Sequence, residues 1–132
     1  MRVPPAQLNR VRVLVIDDDA RYLKSLAVVL MSANPRLEVA FAETVLDGML
    51  ELGRRPPEAV LLDAYLPGMD GLQLCKRLKT SPETAHIAVM AMSGRHSPEL
   101  ENRFLAAEAA AFFCKPFHPS VVLSKLGELG LV

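Results

Sequence analysis

Five short apolar runs, each followed by apolar residues at helical spacing, constrain the fold of this 132-residue chain more than any other feature. The first run, 11–16, is rich in β-branched residues and stops abruptly at Asp17. The residues after it recur at about one helical turn, namely Leu23, Leu26, Ala27 and Leu30. The pattern predicts a buried strand followed by an amphipathic helix.

The same alternation continues to the end of the chain. Further strands are predicted at 37–41, 59–62, 87–92 and 111–114. The helices after them are marked by Val45, Met49 and Leu52, by Leu74, Cys75 and Leu78, by Leu100, Phe104 and Ala107, and by Val122, Leu126 and Leu129. Short buried strands separated by amphipathic helices predict an α/β fold, a doubly wound (βα)5 sandwich around a five-stranded parallel sheet. We expect one domain over 11–130, preceded by a polar lead, 1–10.

The composition narrows the class of partner. Fifteen basic and fifteen acidic residues cancel, so the chain has no overall positive field for nucleic acid, and no direct binding to nucleic acid is expected. No apolar run approaches the roughly 20 residues that span a bilayer. Cys75 and Cys114 are expected to be buried, reduced thiols. These features predict a cytoplasmic protein without membrane association, whose partners are protein surfaces.

Polar residues cluster where the predicted strands end. Ligands of doubly wound sheets bind beyond the carboxyl ends of the strands. The side chains placed there are Asp17, Asp18 and Asp19 after the first strand, Asp63 after the third, Ser93 after the fourth and Lys115 after the fifth. Asp19 can serve simply as a helix cap. The remaining carboxylates outnumber the single ammonium group, so the site would repel itself without a cation.

The donor types indicate which cation and which chemistry. Carboxylate oxygens suit Mg²⁺, whereas Zn²⁺ would call for Cys or His, neither of which is among these site side chains. With Mg²⁺ bound, Asp63 could attack phosphorus while Lys115 and the Ser93 hydroxyl contact the phosphoryl oxygens. The residues therefore predict phosphoryl transfer to a carboxylate.

Four parts of the chain resemble the motifs of response-regulator receiver domains of two-component signal transduction. They are 13–19 (VLVIDDD), 61–71 (LLDAYLPGMDG), Ser93 and 115–117 (KPF). The resemblance extends over nearly the whole chain and implies a flavodoxin-like strand order, 2-1-3-4-5. It further implies a signalling domain that catalyses only its own phosphorylation and dephosphorylation.

The resemblance also implies a role for individual residues. Asp63 would be the phosphoacceptor, with Lys115 pairing with the phosphoryl group and Ser93 acting as the switch hydroxyl. The metal ligands would be Asp17, Asp18, Asp63 and the backbone carbonyl of Tyr65. A cis peptide between Lys115 and Pro116 is implied as well. Phe112 stands at the aromatic switch position, where a tyrosine is often found.

The implied partners follow from the same family. A histidine kinase or phosphotransfer protein would donate the phosphoryl group. The face formed by helix four, strand five and helix five would signal to a downstream protein or to an output domain not present in the chain, with phosphorylation-dependent dimerisation as another readout. Glu108 stands where many receivers carry a glycine suited to left-handed geometry, so we expect helix four to end differently here.

Three other interpretations use the same residues. A receiver-like module could bind partners without phosphorylation. A haloacid-dehalogenase-like phosphatase also uses an aspartate, Mg²⁺ and a lysine, but its DxDxT pattern is missing after the first strand. A dinucleotide-binding domain would need a glycine-rich turn where this chain has three aspartates.

Overall fold

A computed structural model of the chain describes residues 10–66, 68, 70–95 and 97–132. Its elements, in chain order, are β1 (Val11–Ile16), α1 (Ala20–Ala33), β2 (Leu37–Ala42), α2 (Val45–Arg54), β3 (Ala59–Asp63), α3 (Gly71–Thr80), β4 (Ala88–Ser93), α4 (Pro98–Ala106), β5 (Ala111–Cys114) and α5 (Ser120–Glu128). The predicted lead, apart from residue 10, lies outside the described residues, as do Pro67 and Met69 of the motif after Asp63.

The five strands form one parallel sheet in the order β2-β1-β3-β4-β5, which confirms the predicted fold and strand order. β1 lies between β2 and β3, so Val13 is opposite both Val39 and Ala59. Because all strands run in the same direction, their carboxyl ends meet at one edge. The polar residues that follow β1, β3, β4 and β5 therefore share that edge.

The helices cover both faces of the sheet. α1 and α5 pack with Val13 and Val15 of β1, whereas α2, α3 and α4 pack with Leu14 and Ile16. Successive residues of a strand point to opposite faces, and a sheet covered on both sides needs apolar residues at both. This is why the central strands are continuous apolar runs rather than alternating ones.

Arg12 is a charged exception inside β1. Its side chain is buried, but its guanidinium donates to Glu51 Oε2 at 2.7 Å and to the carbonyl of Arg55. The backbone N–H of Arg12 donates to Glu58 Oε2 at 2.6 Å. A buried charge is tolerated when it is paired and hydrogen-bonded, so this arginine fixes the end of α2 against the sheet.

The predicted apolar faces are confirmed for α1 and α3 and are wrong at two positions. Met49 is 48% exposed and Leu129 is 41% exposed. α2 approaches the sheet at Gly48, where a Cβ atom would lie only 2.6 Å from Ile16 Cδ1, and this close approach turns Met49 outward. Leu129 follows the last residue of α5.

The end of α4 depends on a left-handed residue. Glu108 has φ 70°, and its N–H donates to the carbonyl of Leu105 at 3.0 Å. The N–H of Ala109 donates to the carbonyl of Phe104, also at 3.0 Å. These two bonds form a Schellman motif, which glycine usually closes. The different helix ending expected at Glu108 is therefore wrong, because Glu108 itself adopts the geometry of the glycine.

We predict that Glu108→Gly stabilises the protein by about 0.5–1 kcal/mol. Glycine removes the steric cost of positive φ, which exceeds the conformational entropy that it adds to the unfolded chain. Denaturant unfolding of the wild type, Glu108→Gly and the control Glu108→Ala measures this, and the alanine variant should lack the gain. An unchanged or lower stability of the glycine variant would contradict the prediction.

Candidate functional site

Three carboxylates converge at the carboxyl edge of the sheet. Asp17 and Asp18 follow β1, and Asp63 is the last residue of β3. Ligand oxygens of the three side chains all lie within 4.8 Å of one another. Asp17 and Asp63 are buried and Asp18 is exposed, so the cluster opens to solvent on one side. The predicted acidic site is thus assembled by the strand order.

Lys115 bridges the two buried carboxylates. Its Nζ donates to Asp17 Oδ2 at 2.5 Å and to Asp63 Oδ2 at 2.7 Å, and only 18% of its side chain is exposed. Burial alone would lower the pKa of Lys115, but the hydrogen bonds and charges of Asp17 and Asp63 raise it above its ordinary value. The ammonium group is therefore charged throughout the neutral range.

The backbone of Lys115 is fixed as firmly as its side chain. Its N–H donates to the carbonyl of Ser93 at 2.7 Å, which ties the ends of β5 and β4 together. The following bond, Lys115–Pro116, is a cis peptide. The lysine thus starts from an edge strand and reaches across the end of β4 to the carboxylates on β3 and β1.

Backbone N–H groups orient the remaining carboxylate oxygens. Asp17 Oδ1 accepts from the N–H of Asp19 at 2.9 Å, and Asp63 Oδ1 accepts from the N–H of Tyr65 at 2.8 Å. Both contacts are Asx turns, in which a carboxylate binds the backbone two residues further on. Each buried aspartate therefore accepts a hydrogen bond from Lys115 with one oxygen and a hydrogen bond from the backbone of its own loop with the other.

Two further aspartates near the site act as helix caps. Asp19 accepts from the N–H of Tyr22 at 3.2 Å and caps α1, and Asp70 accepts from the N–H of Leu72 at 2.7 Å and caps α3. The prediction that Asp19 serves as a helix cap is confirmed.

Gly71 was not identified from the sequence as part of the site. A Cβ atom there would lie 2.5 Å from the backbone carbonyl oxygen of Asp63, closer than real side chains come. The missing side chain lets the first residue of α3 rest directly on the end of β3. Asp70 followed by glycine at the start of a helix was visible in the sequence, but the close approach to Asp63 was not.

Ser93 of β4 and Phe112 of β5 contact α4 and the loop that precedes it. The buried Ser93 hydroxyl donates to the carbonyl of Arg95 and accepts from the N–H of Arg95, both at 3.0 Å. The half-buried Phe112 ring packs against Phe104 of α4, with 5.8 Å between ring centroids. The structure thus places Ser93 at the end of β4, where its hydroxyl contacts the loop before α4, and places the Phe112 ring of β5 against α4.

Tyr22 is a neighbour of the site that sequence reasoning missed. The Lys115 Nζ atom lies 4.7 Å from the centroid of its ring. Burial, followed by the charges of Asp17 and Asp63, raises the pKa of the Tyr22 hydroxyl, which stays protonated. No sequence pattern signalled this contact, because Tyr22 in α1 and Lys115 after β5 meet only in the folded chain.

The sequence and the fold are similar to those of known proteins. Residues 13–127 match the family model of the response regulator receiver domain. The chain belongs to the response-regulator receiver family. The resemblance to receiver domains that the motifs indicated is therefore confirmed, and the chain is a receiver domain of two-component signalling. This membership sets aside the phosphatase and dinucleotide-binding alternatives.

Similar proteins contain the receiver as one part of a longer chain. The response regulator PleD of Caulobacter vibrioides is 30% identical over 121 residues, which cover 89% of this chain and 26% of PleD. The phosphate regulon regulatory protein PhoB of Rhizobium meliloti is 31% identical over 101 residues, which cover 74% of this chain and 44% of PhoB. This receiver therefore spans less than half the length of either relative.

Solved structures of receiver domains superpose closely. The signal receiver domain of a DNA-binding response regulator from Colwellia psychrerythraea 34H has a TM-score of 0.86 at 30% identity, covering 91% of this chain and 98% of that one. A CheY-like receiver domain protein from Methanospirillum hungatei JF-1 has a TM-score of 0.81 at 28% identity, covering 91% and 93%. Within the described ranges, none of the receiver's helices combines the length and apolarity needed to cross a membrane.

The two cysteines of the receiver differ in environment, which corrects the expectation that both are buried. Cys75 is buried in α3 and its thiol contacts the carbonyl of Ala107 at 3.8 Å. Burial raises the pKa of Cys75 to about 11. Cys114 is exposed, because it stands at the end of edge strand β5.

We predict that a thiol reagent at mildly alkaline pH modifies Cys114 in the folded receiver and leaves Cys75 intact. Thiolate is the reactive form of cysteine. Cys75 is shielded from solvent, and its raised pKa keeps it mostly protonated at mildly alkaline pH. Mass spectrometry of the labelled peptides tests this, with Cys114→Ser as the control that should react only after denaturation. Modification of both thiols at similar rates under native conditions would refute it.

Proposed function

We propose that Asp63 accepts a phosphoryl group from a histidine kinase or a phosphotransfer protein. The observation that carries the proposal is the position of Lys115 Nζ, which contacts Asp63 Oδ2 and Asp17 Oδ2 inside the three-carboxylate cluster. Phosphoryl transfer to a carboxylate requires a nucleophile, a cation that pairs with the phosphoryl oxygens, and acidic metal ligands.

Asp63 supplies the attacking oxygen. An Oδ–P bond forms as the P–N bond of the donor phosphohistidine breaks, and the leaving imidazole takes the electron pair and then a proton. The N–H of Tyr65 and the close packing of Gly71 hold the aspartate in one orientation, which lowers the entropic cost of reaching the reacting geometry. Lys115 is positioned to pair with the phosphoryl oxygens as negative charge moves onto Asp63.

The same cluster fits Mg²⁺. The ligands we assign are the carboxylates of Asp17, Asp18 and Asp63 and the backbone carbonyl of Tyr65, all hard oxygen donors. Three carboxylates against one ammonium leave a net negative charge that a divalent cation would offset. These ligands would hold an Mg²⁺ ion whose charge would offset that of the phosphoryl group and so lower the barrier to transfer.

We assign Ser93 and Phe112 to the conformational change that follows phosphorylation of Asp63. Ser93 lies next to Met92, which is opposite Asp63 in the sheet, and its hydroxyl is held by the backbone of Arg95. A phosphoryl group on Asp63 would offer this hydroxyl a charged acceptor, which is stronger than a carbonyl. Loss of the Arg95 contact would free the loop before α4, and the Phe112 ring packed on that helix would then repack.

The surface that changes is therefore the face formed by α4, β5 and α5. Its partner is a downstream protein or an output domain, and phosphorylation-dependent dimerisation is an alternative readout of the same face. PleD and PhoB, in which the matching part is a minority of the chain, are consistent with an output outside this domain. The receiver acts on its own acyl phosphate and on no separate substrate.

We predict that a small-molecule phosphodonor labels the wild type in the presence of Mg²⁺ and that Asp63→Ala abolishes the label. Chelation of Mg²⁺ should remove it as well, because the carboxylates then repel the incoming phosphoryl group. Labelling is followed over time by intact-protein mass spectrometry.

Asp19→Asn is the matched control. Asparagine keeps the helix cap and removes one negative charge from the same loop, so this variant should be labelled like the wild type. Labelling of Asp63→Ala, or labelling of the wild type at an unchanged rate without metal, would overturn the proposal.

A further inference from the structure

Among the described residues, Tyr22 is the aromatic side chain that contacts the ammonium group of Lys115, and the proposed phosphoryl transfer does not use it. It follows the aspartate run by one turn of α1, and its N–H is held by the Asp19 cap at 3.2 Å. We propose that Tyr22 is a positioning residue for Lys115, whose ring holds the ammonium group between Asp17 and Asp63 ready for the phosphoryl group. This inference rests on the proposed function of Asp63.

The geometry is that of a cation–π contact. Lys115 Nζ lies 4.7 Å from the ring centroid, within the roughly 6 Å over which such contacts act. A lysine ammonium has three N–H donors, and two of them are engaged by Asp17 and Asp63. The negative face of the ring is the third partner. All three partners lie on different elements, so they fix the ammonium in space.

The ring is itself held in place by an aromatic row. Tyr22 meets Phe117 edge to face, with 5.9 Å between centroids and an interplanar angle of 85°. Phe117 in turn packs on Phe113 of β5 at 5.3 Å. The residues that flank Lys115 in sequence thus support the ring that covers it. The contact couples α1 to the loop after β5, two parts of the chain that share no backbone hydrogen bond among the described residues.

The hydroxyl of Tyr22 makes a different contribution. It is buried and has no hydrogen-bond partner in the described part of the chain. Such a donor stabilises nothing in this state, so the ring rather than the hydroxyl accounts for the contact with Lys115. Phenylalanine should therefore replace tyrosine here, whereas an aliphatic side chain should not.

The contact with Tyr22 orients the Lys115 side chain for the reaction. A lysine has a long side chain with considerable rotamer freedom, and holding it in one arrangement before the donor arrives avoids that entropic cost during transfer. Removing a cation–π contact worth about 0.7–1.4 kcal/mol corresponds to a rate lower by about three- to tenfold. The effect should appear in the rate of phosphorylation and not in whether Asp63 can be labelled.

The test compares Tyr22→Phe and Tyr22→Leu with the wild type. Phosphorylation by a small-molecule phosphodonor with Mg²⁺ should proceed in Tyr22→Phe at nearly the wild-type rate and in Tyr22→Leu about three- to tenfold more slowly. Val28→Ala, at an exposed position of the same helix, is the control for changes in α1 and should match the wild type. In a Lys115→Met background, Tyr22→Leu should cause no further loss.

A second measurement needs no phosphorylation and so separates this inference from the proposed function. The ε-methylene protons of Lys115 should show an upfield ring-current shift by NMR in the wild type and in Tyr22→Phe, and that shift should vanish in Tyr22→Leu. The wild-type spectrum alone decides the contact if the leucine variant fails to fold.

The inference is overturned if the wild-type Lys115 protons are unshifted. It is overturned equally if Tyr22→Leu is phosphorylated at the wild-type rate, or if Tyr22→Phe is slowed as much as Tyr22→Leu. Absence of any labelling, with the ring-current shift present as described, would refute the role of Asp63 and leave the contact of Tyr22 with Lys115 established.

Discussion

The ammonium group of Lys115, held between Asp17 and Asp63, is the interaction on which the site depends. Two buried carboxylates side by side repel each other, and burial adds a desolvation cost to each. One lysine offsets both effects by donating at 2.5 and 2.7 Å to the two side chains. Without it, the ends of β1 and β3 would carry uncompensated charge in the interior.

The fold makes this interaction available. The order β2-β1-β3-β4-β5 places β1 and β3 side by side, so the aspartates that end them are neighbours. β5 is two strands away from β3, and only a long side chain can span that distance. The same strand order brings Ser93 between the acceptor and the lysine, next to the loop that leads into α4. A change of charge at Asp63 therefore occurs close to α4, whose Phe104 packs against Phe112.

Much of the fold and of the acidic cluster could be predicted from local patterns in the sequence. The strands and the buried faces of α1 and α3 follow from hydrophobic periodicity, and the acidic cluster follows from the rule that parallel strands end at one edge. What could not be predicted arises from tertiary contacts. Met49 looks like a core residue until Gly48 brings α2 against Ile16, and Arg12 looks misplaced in a strand until Glu51 is beside it. Tyr22 has no local signal at all. Glu108 shows the converse, since the fold imposes on it a backbone geometry that its own preferences oppose.

In the proposed reaction Asp63, and no other carboxylate of the cluster, carries the phosphoryl group. Borohydride reduction of an aspartyl phosphate yields homoserine, which marks the modified position permanently. The receiver should be incubated with a phosphodonor and Mg²⁺, reduced, and mapped by peptide mass spectrometry. Homoserine is expected at position 63 alone, whereas homoserine at position 17 or 18, or at none of the three, would refute the role of Asp63.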